Sequence, residues 1–213
     1  MPAPALKVLA FNCSLKSAGG KEKSSTDILL QQLLDALATH GAKGDIIRAV
    51  DHDIKPGVKS DEGEGDAWPL LRKRVVEADI LIIGTPIWLG QPSSVAKRVL
   101  ERMDAFLEET DARGRMPSYG KVALAVVVGN EDGAHHTAAE LFQALTEVGF
   151  TIPAGVLGRR GDGRQGIQGF LEDPESRGRM DTAAGVQCRA PRASAQEAKI
   201  SGDQGRPVTL ALV

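Results

Sequence analysis

The segment Asp79-Ile-Leu-Ile-Ile-Gly-Thr85 constrains this chain more than any other, because nothing between its two ends is polar. A strand with one wet face alternates apolar and polar residues. A strand without that alternation must be covered on both sides, which is the condition inside a parallel sheet flanked by helices. Lys121-Val-Ala-Leu-Ala-Val-Val-Val-Gly129 is a second run of this kind. Leu6 to Asn12 and Asp45 to Val50 read as shorter strands, and Phe150 to Ala154 begins a fifth. Apolar residues at helical spacing fill the intervals: Thr26 to Thr39, Asp66 to Glu77, Ser93 to Leu107 and Ala134 to Val148. In the third of these Val95, Val99, Leu100, Met103 and Phe106 form one stripe. Alternating β and α elements joined by short right-handed crossovers predict an α/β, three-layer, doubly wound parallel sheet, with strand order 2-1-3-4-5.

A chain of 213 residues with 42% hydrophobic content supports one folding unit rather than two of ordinary size. A net charge of −2, with both signs mixed along the chain, offers no general attraction to nucleic acid or an anionic membrane, so a small molecule is the expected partner. Met1 to Lys7 lacks the pattern of a signal peptide, and no apolar stretch approaches the roughly 20 residues of a membrane span, so a cytoplasmic location is expected. Cys13 and Cys188 lie too far apart, in regions too different, to suggest a disulfide framework, and Cys13 reads as a small core residue.

In such a sheet, ligands bind beyond the carboxyl ends of the strands near the topological switch. The loop after the first strand, Asn12 to Thr26, carries Ser14, Lys16, Ser24, Ser25 and Thr26 where a helix begins. Unpaired amides and the helix dipole favour an anion there, although capping alone would also explain the hydroxyls. Thr85-Pro-Ile-Trp-Leu-Gly-Gln-Pro-Ser-Ser94 sets an aromatic and two aliphatic side chains at the end of a buried strand, where a planar ligand or a neighbouring loop could cover them. Gly129-Asn-Glu-Asp-Gly-Ala-His-His-Thr137 brackets polar groups with glycines, and a solvated helix start accounts for them equally well. His135 and His136 are adjacent, which makes a poor metal pair, and no metal site is expected.

Taken together, these three segments resemble the NAD(P)H-dependent FMN reductase family of flavodoxin-like oxidoreductases, over roughly residues 5 to 155. The resemblance implies an enzyme with FMN as cofactor and NADPH or NADH as electron donor. Hydride would pass from the nicotinamide to the flavin, and electrons would go on to a flavin, quinone or similar small-molecule acceptor. By this likeness Ser14, Lys16, Ser24, Ser25 and Thr26 hold the FMN phosphate. Pro86, Ile87, Trp88, Leu89 and Gly90 line the isoalloxazine ring, and Asn130, Glu131, Asp132 and Gly133 flank its far edge. No catalytic side chain is nominated, since the chemistry belongs to the cofactor. Relatives of this fold often pair, so a homodimer is expected. A non-enzymatic FMN carrier and a module with a nucleic-acid-binding tail are the alternatives.

After Gly155 the character changes, dividing the chain into a flavodoxin-like unit, 1–155, and an atypical Gly/Arg-rich tail, 156–213, expected to be poorly ordered. Helical periodicity is lost there, and arginine replaces lysine almost entirely. A flexible tail is one reading, and an Arg/Gly segment touching RNA or anionic lipid is another. A third is a frameshift. Codons permitted for Val156 to Phe170, read one base later, spell Tyr-Trp-Val-Gly-Glu-Ala-Met-Ala-Gly-Lys-Glu-Phe-Lys-Asp, which resembles the family's fifth strand and following loop. We expect the coding DNA to carry one extra base near Gly155; an intact reading frame at that point in the source genome would refute this.

Overall fold

The computed structural model describes residues 5–130, 132–153 and the backbone of 209–212. Strand β1 (Lys7–Asn12) lies between β2 (Lys43–Arg48) and β3 (Ile80–Trp88), and β3 pairs with β5 (Val122–Gly129), all in parallel. This gives the expected doubly wound, flavodoxin-like order. A two-residue strand, β4 (Gln91–Pro92), folds back antiparallel on the end of β3.

At the far edge the expectation is modified. Thr151 makes a parallel bridge to Val122, the beginning of the anticipated fifth strand, and Phe150 is buried. Beyond it the edge of β5 is taken by β6 (Thr209–Leu212), antiparallel, with Val126 opposite Leu212 and Gly129 opposite Thr209. Apart from β6, the tail and the proposed frameshift lie outside the described residues.

Successive residues of each central strand face opposite layers. Leu9, Phe11, Leu81, Ile83, Ala125 and Val127 join the core beneath α2 (Trp68–Glu77), α3 (Ser94–Arg102) and α4 (Ala134–Glu147). Val8, Ala10, Ile80, Ile82, Leu124 and Val126 face the other side, where α1 (Ser25–Ala38) lays down Leu29, Leu30, Leu33, Leu34 and Leu37. Both apolar runs are therefore covered on two faces, as their lack of alternation required. Cys13 is fully buried, and burial pushes its thiol far up, so it is a core residue and not a nucleophile. No described helix is long and apolar enough to cross a membrane.

Several boundaries differ from the sequence expectation: the second strand, expected over Asp45 to Val50, is Lys43–Arg48 followed by a 3₁₀ turn, Ala49–Asp51. The third strand runs on to Trp88, so Pro86, Ile87 and Trp88 belong to a strand and not to a loop. The helix expected over Ser93 to Leu107 ends at Arg102 and continues as a 3₁₀ turn, Asp104–Leu107, which keeps Met103 and Phe106 buried. Asp66 stands outside α2, one residue before the N-cap Ala67, and its Oδ1 accepts from the amide of the first helical residue, Trp68, at 3.1 Å.

Asp66 also anchors the long connection after β2. Its Oδ2 meets Arg102 Nη2 at 2.8 Å, with both side chains fully buried. The guanidinium donates to the carbonyls of Lys55 at 3.0 Å and Lys59 at 2.7 Å, and it lies 5.9 Å from the Trp68 ring centre. Burial alone would raise the Asp66 pKa, but amide donation from Glu62 and Trp68, together with Arg102, outweighs it and holds the carboxyl below its ordinary value. A depressed folded-state pKa gives stability that is present above the unfolded value and lost as pH falls through the folded one. Asp66→Asn should therefore be clearly less stable than the parent at pH 7, with the gap in urea midpoints narrowing below about pH 4. A gap independent of pH would contradict this assignment.

Candidate functional site

The loops after β1, β3 and β5 come together because these strands are neighbours and parallel. Ser93 ties the first two. Its Oγ donates to the Cys13 carbonyl at 2.6 Å, its amide donates to Thr85 Oγ1 at 3.0 Å, and its Oγ also accepts from the Ala96 amide as the cap of α3.

In the first loop Ser24 caps α1, accepting from the Asp27 amide at 3.2 Å. Its hydroxyl donates to Ser14 Oγ at 3.1 Å, and both serines are buried. Asn12, at the end of β1, fixes the pair. Its Oδ1 accepts the Ser14 amide at 3.0 Å, while its Nδ2 reaches Ser24 Oγ at 3.4 Å and Asp27 Oδ1 at 2.9 Å. Thr26 is buried and Ser25 exposed in the first turn, where amides have no intrahelical partner. Among the described residues the amides of Leu15, Lys16, Ser17, Ser25 and Thr26 donate to no protein acceptor. An anion such as a flavin phosphate fits this set of donors, with the α1 dipole behind it. Lys16 is exposed, and its Nζ sits 3.2 Å from Glu22 and 3.1 Å from the Lys23 carbonyl. Arg48, at the end of β2, braces the loop from below by pairing with Asp27 at 2.9 Å and donating to the Lys16 carbonyl at 2.9 Å. Asp51 accepts the Ala18 amide at 2.9 Å, and this bond, with the Ser17 hydroxyl, lowers its pKa.

The second loop is a tight hairpin. Leu89 (φ 54°) and Gly90 (φ 76°) link the Trp88–Gln91 pair, a two-residue turn with positive φ at both positions. Leu89 is the one described non-glycine residue with positive φ, and it is 93% exposed beside Trp88 at 53%. A strained aliphatic and a half-exposed indole at a strand end form an apolar shelf that suits the face of a planar ring. Ile87 is different: it is 3% exposed and packs in the core, so its side chain does not reach the shelf.

The third loop closes against this hairpin. Gly133 (φ 113°) precedes α4, and a Cβ added there would lie 2.7 Å from Gly90 Cα. Thr137 Oγ1 donates to the Gly90 carbonyl at 3.2 Å. Asn130 and Asp132 are exposed, and Asp132 Oδ1 accepts the Gly133 amide at 2.8 Å. Glu131 lies outside the described residues. The surface depressions lined by Glu108, Asp111 and Arg115, and by Lys7, Lys43 and Arg74, are remote from this shelf. Among the described residues no group of His, Cys, Asp and Glu could hold a metal ion.

Sequence reasoning nominated the serines, the hairpin and the glycine loop but missed the residues that hold them. Asn12, Arg48 and Ser93 act through side-chain bonds whose partners are invisible in a linear reading. The one available signal was Ser93, placed three residues ahead of Ala96 at a helix start.

Comparison with known proteins identifies the family. The model of the family described as NADPH-dependent FMN reductase matches residues 6–160. The chain is 33% identical over 178 residues to 8-demethyl-8-aminoriboflavin-5'-phosphate synthase of Streptomyces davaonensis, covering 78% of this chain and 68% of that protein. It is 40% identical over 179 residues to "Divalent metal cation transporter MntH" of Mycobacterium bovis; the match takes in 80% of this chain but spans only 26% of that protein. Among solved structures, RosB with the bound intermediate 8-demethyl-8-formylriboflavin-5'-phosphate superposes with a TM-score of 0.64 at 30% identity, covering 85% of this chain and 77% of that one. The chain belongs to the NADPH-dependent FMN reductase family.

Proposed function

We propose that this chain binds FMN across its three carboxyl-edge loops and reduces a small acceptor, a flavin, a quinone or a similar molecule, at the expense of NAD(P)H. The observation that carries the reading is the Trp88–Leu89 shelf, apolar and exposed, set between an anion cradle and a glycine-backed loop. In this reading Ser14, Lys16, Ser24, Ser25 and Thr26 take the phosphate. Trp88 and Leu89 supply the apolar surface for the ring, with Pro86, Ile87 and Gly90 shaping the strand and turn beneath it. Asn130, Glu131, Asp132 and Gly133 border the opposite edge. Bound FMN supplies the hydride chemistry, accepting from the nicotinamide and returning electrons to the acceptor. The protein's part is to orient the ring and leave one face open for donor and acceptor in turn. RosB, whose bound intermediate is itself a riboflavin 5'-phosphate, supports the choice of ligand. A small-molecule acceptor and a second copy of the chain are the partners this reading assigns.

The test is reduction under argon: FMN-loaded full-length protein is mixed with NADPH or NADH, the visible absorption is followed, and a quinone is then added. Bleaching, recovery on adding acceptor and an unchanged flavin mass are expected. No bleaching with either nucleotide would favour an electron carrier. A flavin altered in mass would make FMN the substrate instead of the cofactor.

A further inference from the structure

The contact between β4 and α4 is governed by a single ring nitrogen. His136 Nε2 lies 2.8 Å from Gln91 Nε2 on β4 and 2.8 Å from Glu140 Oε1 one turn along α4. It cannot serve both. In the neutral ring with its proton on Nδ1, Nε2 accepts from the Gln91 amide and its lone pair opposes the Glu140 carboxylate. Protonated, it donates to that carboxylate and can accept nothing from Gln91. A flipped Gln91 amide would offer its carbonyl instead, but it would then compete with a carboxylate, the stronger acceptor, for one proton.

Gln91 is the partner of Trp88 across the hairpin, and Gly90 of the same turn backs onto Gly133 and accepts from Thr137. The hairpin is thus fastened to the first turns of α4 at three places, of which the His136 contact alone depends on a proton. We propose that His136 is a positioning residue for the shelf: neutral with its proton on Nδ1, it holds the Trp88–Leu89 hairpin against α4; protonated on both nitrogens, it turns to Glu140 and frees Gln91. The ring is largely exposed, so it equilibrates with solvent protons. The charged or titratable groups around it are Glu140 and His135 on its own helix and Asp132 just before it. β4 offers the uncharged Gln91, and α3, also packed on α4, carries Lys97, Arg98, Glu101 and Arg102, with Arg98 engaged on the Ile54 carbonyl and Arg102 on Asp66. The functional consequence, though not the contact itself, rests on the reading of the shelf as a flavin surface.

The experiment is an NMR titration of the flavin-free full-length protein between about pH 5 and 8, following the His136 ring, the Trp88 indole N–H and the Leu89 amide. Buried Trp68 serves as the internal control. The expected result is one midpoint shared by His136, Trp88 and Leu89, with Trp68 unmoved. In Gln91→Leu, an exposed position, His136 still titrates but Trp88 and Leu89 no longer follow it. FMN affinity measured on either side of the midpoint should differ by about three- to tenfold in the parent, the worth of one hydrogen bond, and be nearly constant in Gln91→Leu. Trp88 and Leu89 signals that stay fixed while His136 titrates, or that follow it equally in Gln91→Leu, would overturn the proposal. A chain that binds no FMN would defeat the functional reading while leaving the flavin-free spectra to decide on His136.

Discussion

Replacing Arg102 with methionine is expected to destabilise the protein by about 3–5 kcal/mol, a large part of the roughly 5–15 kcal/mol that holds a domain of this kind together. The guanidinium is fully buried, pairs with Asp66 and satisfies the carbonyls of Lys55 and Lys59. Methionine fills most of the volume but leaves the buried Asp66 carboxylate without its counter-charge and the Lys55 and Lys59 carbonyls without this donor. The cost comes from that mismatch more than from loss of an attractive pair, since buried ion pairs themselves contribute little net stability. The double variant Asp66→Asn, Arg102→Met should therefore recover part of the loss, because a neutral amide is less costly to bury than an unpaired carboxylate. Urea unfolding of parent, single and double variants measures both effects. A single variant within about 1 kcal/mol of the parent would show that the pair is not structurally important.

Gly133→Ala is expected to lower FMN affinity at least about tenfold, equivalent to roughly 1.4 kcal/mol, while the fold survives. Two costs meet at this residue. Its φ of 113° is one that side chains rarely adopt, and the new Cβ would fall 2.7 Å from Gly90 Cα and 3.0 Å from the Gly90 carbonyl oxygen, backbone atoms that cannot rotate away. The third loop must then retreat from the hairpin, which opens the shelf. Gly41→Ala is the matched control: φ is 83°, but nothing lies within 4 Å of the added Cβ. It should reduce stability and leave FMN binding as it was. Equal losses of affinity in both variants would mean that strain, and not the approach of the two loops, sets the effect.

The sequence exposed the sheet because its central strands are buried on both faces, and a run such as Ile80 to Ile83 admits no other explanation. It located the starts of α1 and α3 to within a residue through the apolar spacing that follows them. It misjudged the end of β3, since Pro86 reads as a terminator although the strand carries on into a hairpin whose return strand is only two residues long. It overran α3 because a 3₁₀ turn preserves the apolar stripe through Phe106. Arg102 carried a signal that went unused: a charged residue three positions after Val99 lies on the buried stripe, where charge requires a partner. Nothing local, however, names Asp66 as that partner. The His136–Gln91 contact is equally non-local, and adjacent histidines at a helix start suggest solvent more readily than a strand.

The most direct test of the central claim, that the three carboxyl-edge loops form an FMN site, is a fluorescence titration of flavin-stripped full-length protein with FMN, carried out beside Ser24→Ala. Saturable quenching that weakens in the variant, with both proteins folded, is the predicted result. Absence of saturable quenching in the parent, or identical curves for the two, would contradict the placement of the flavin phosphate at the start of α1.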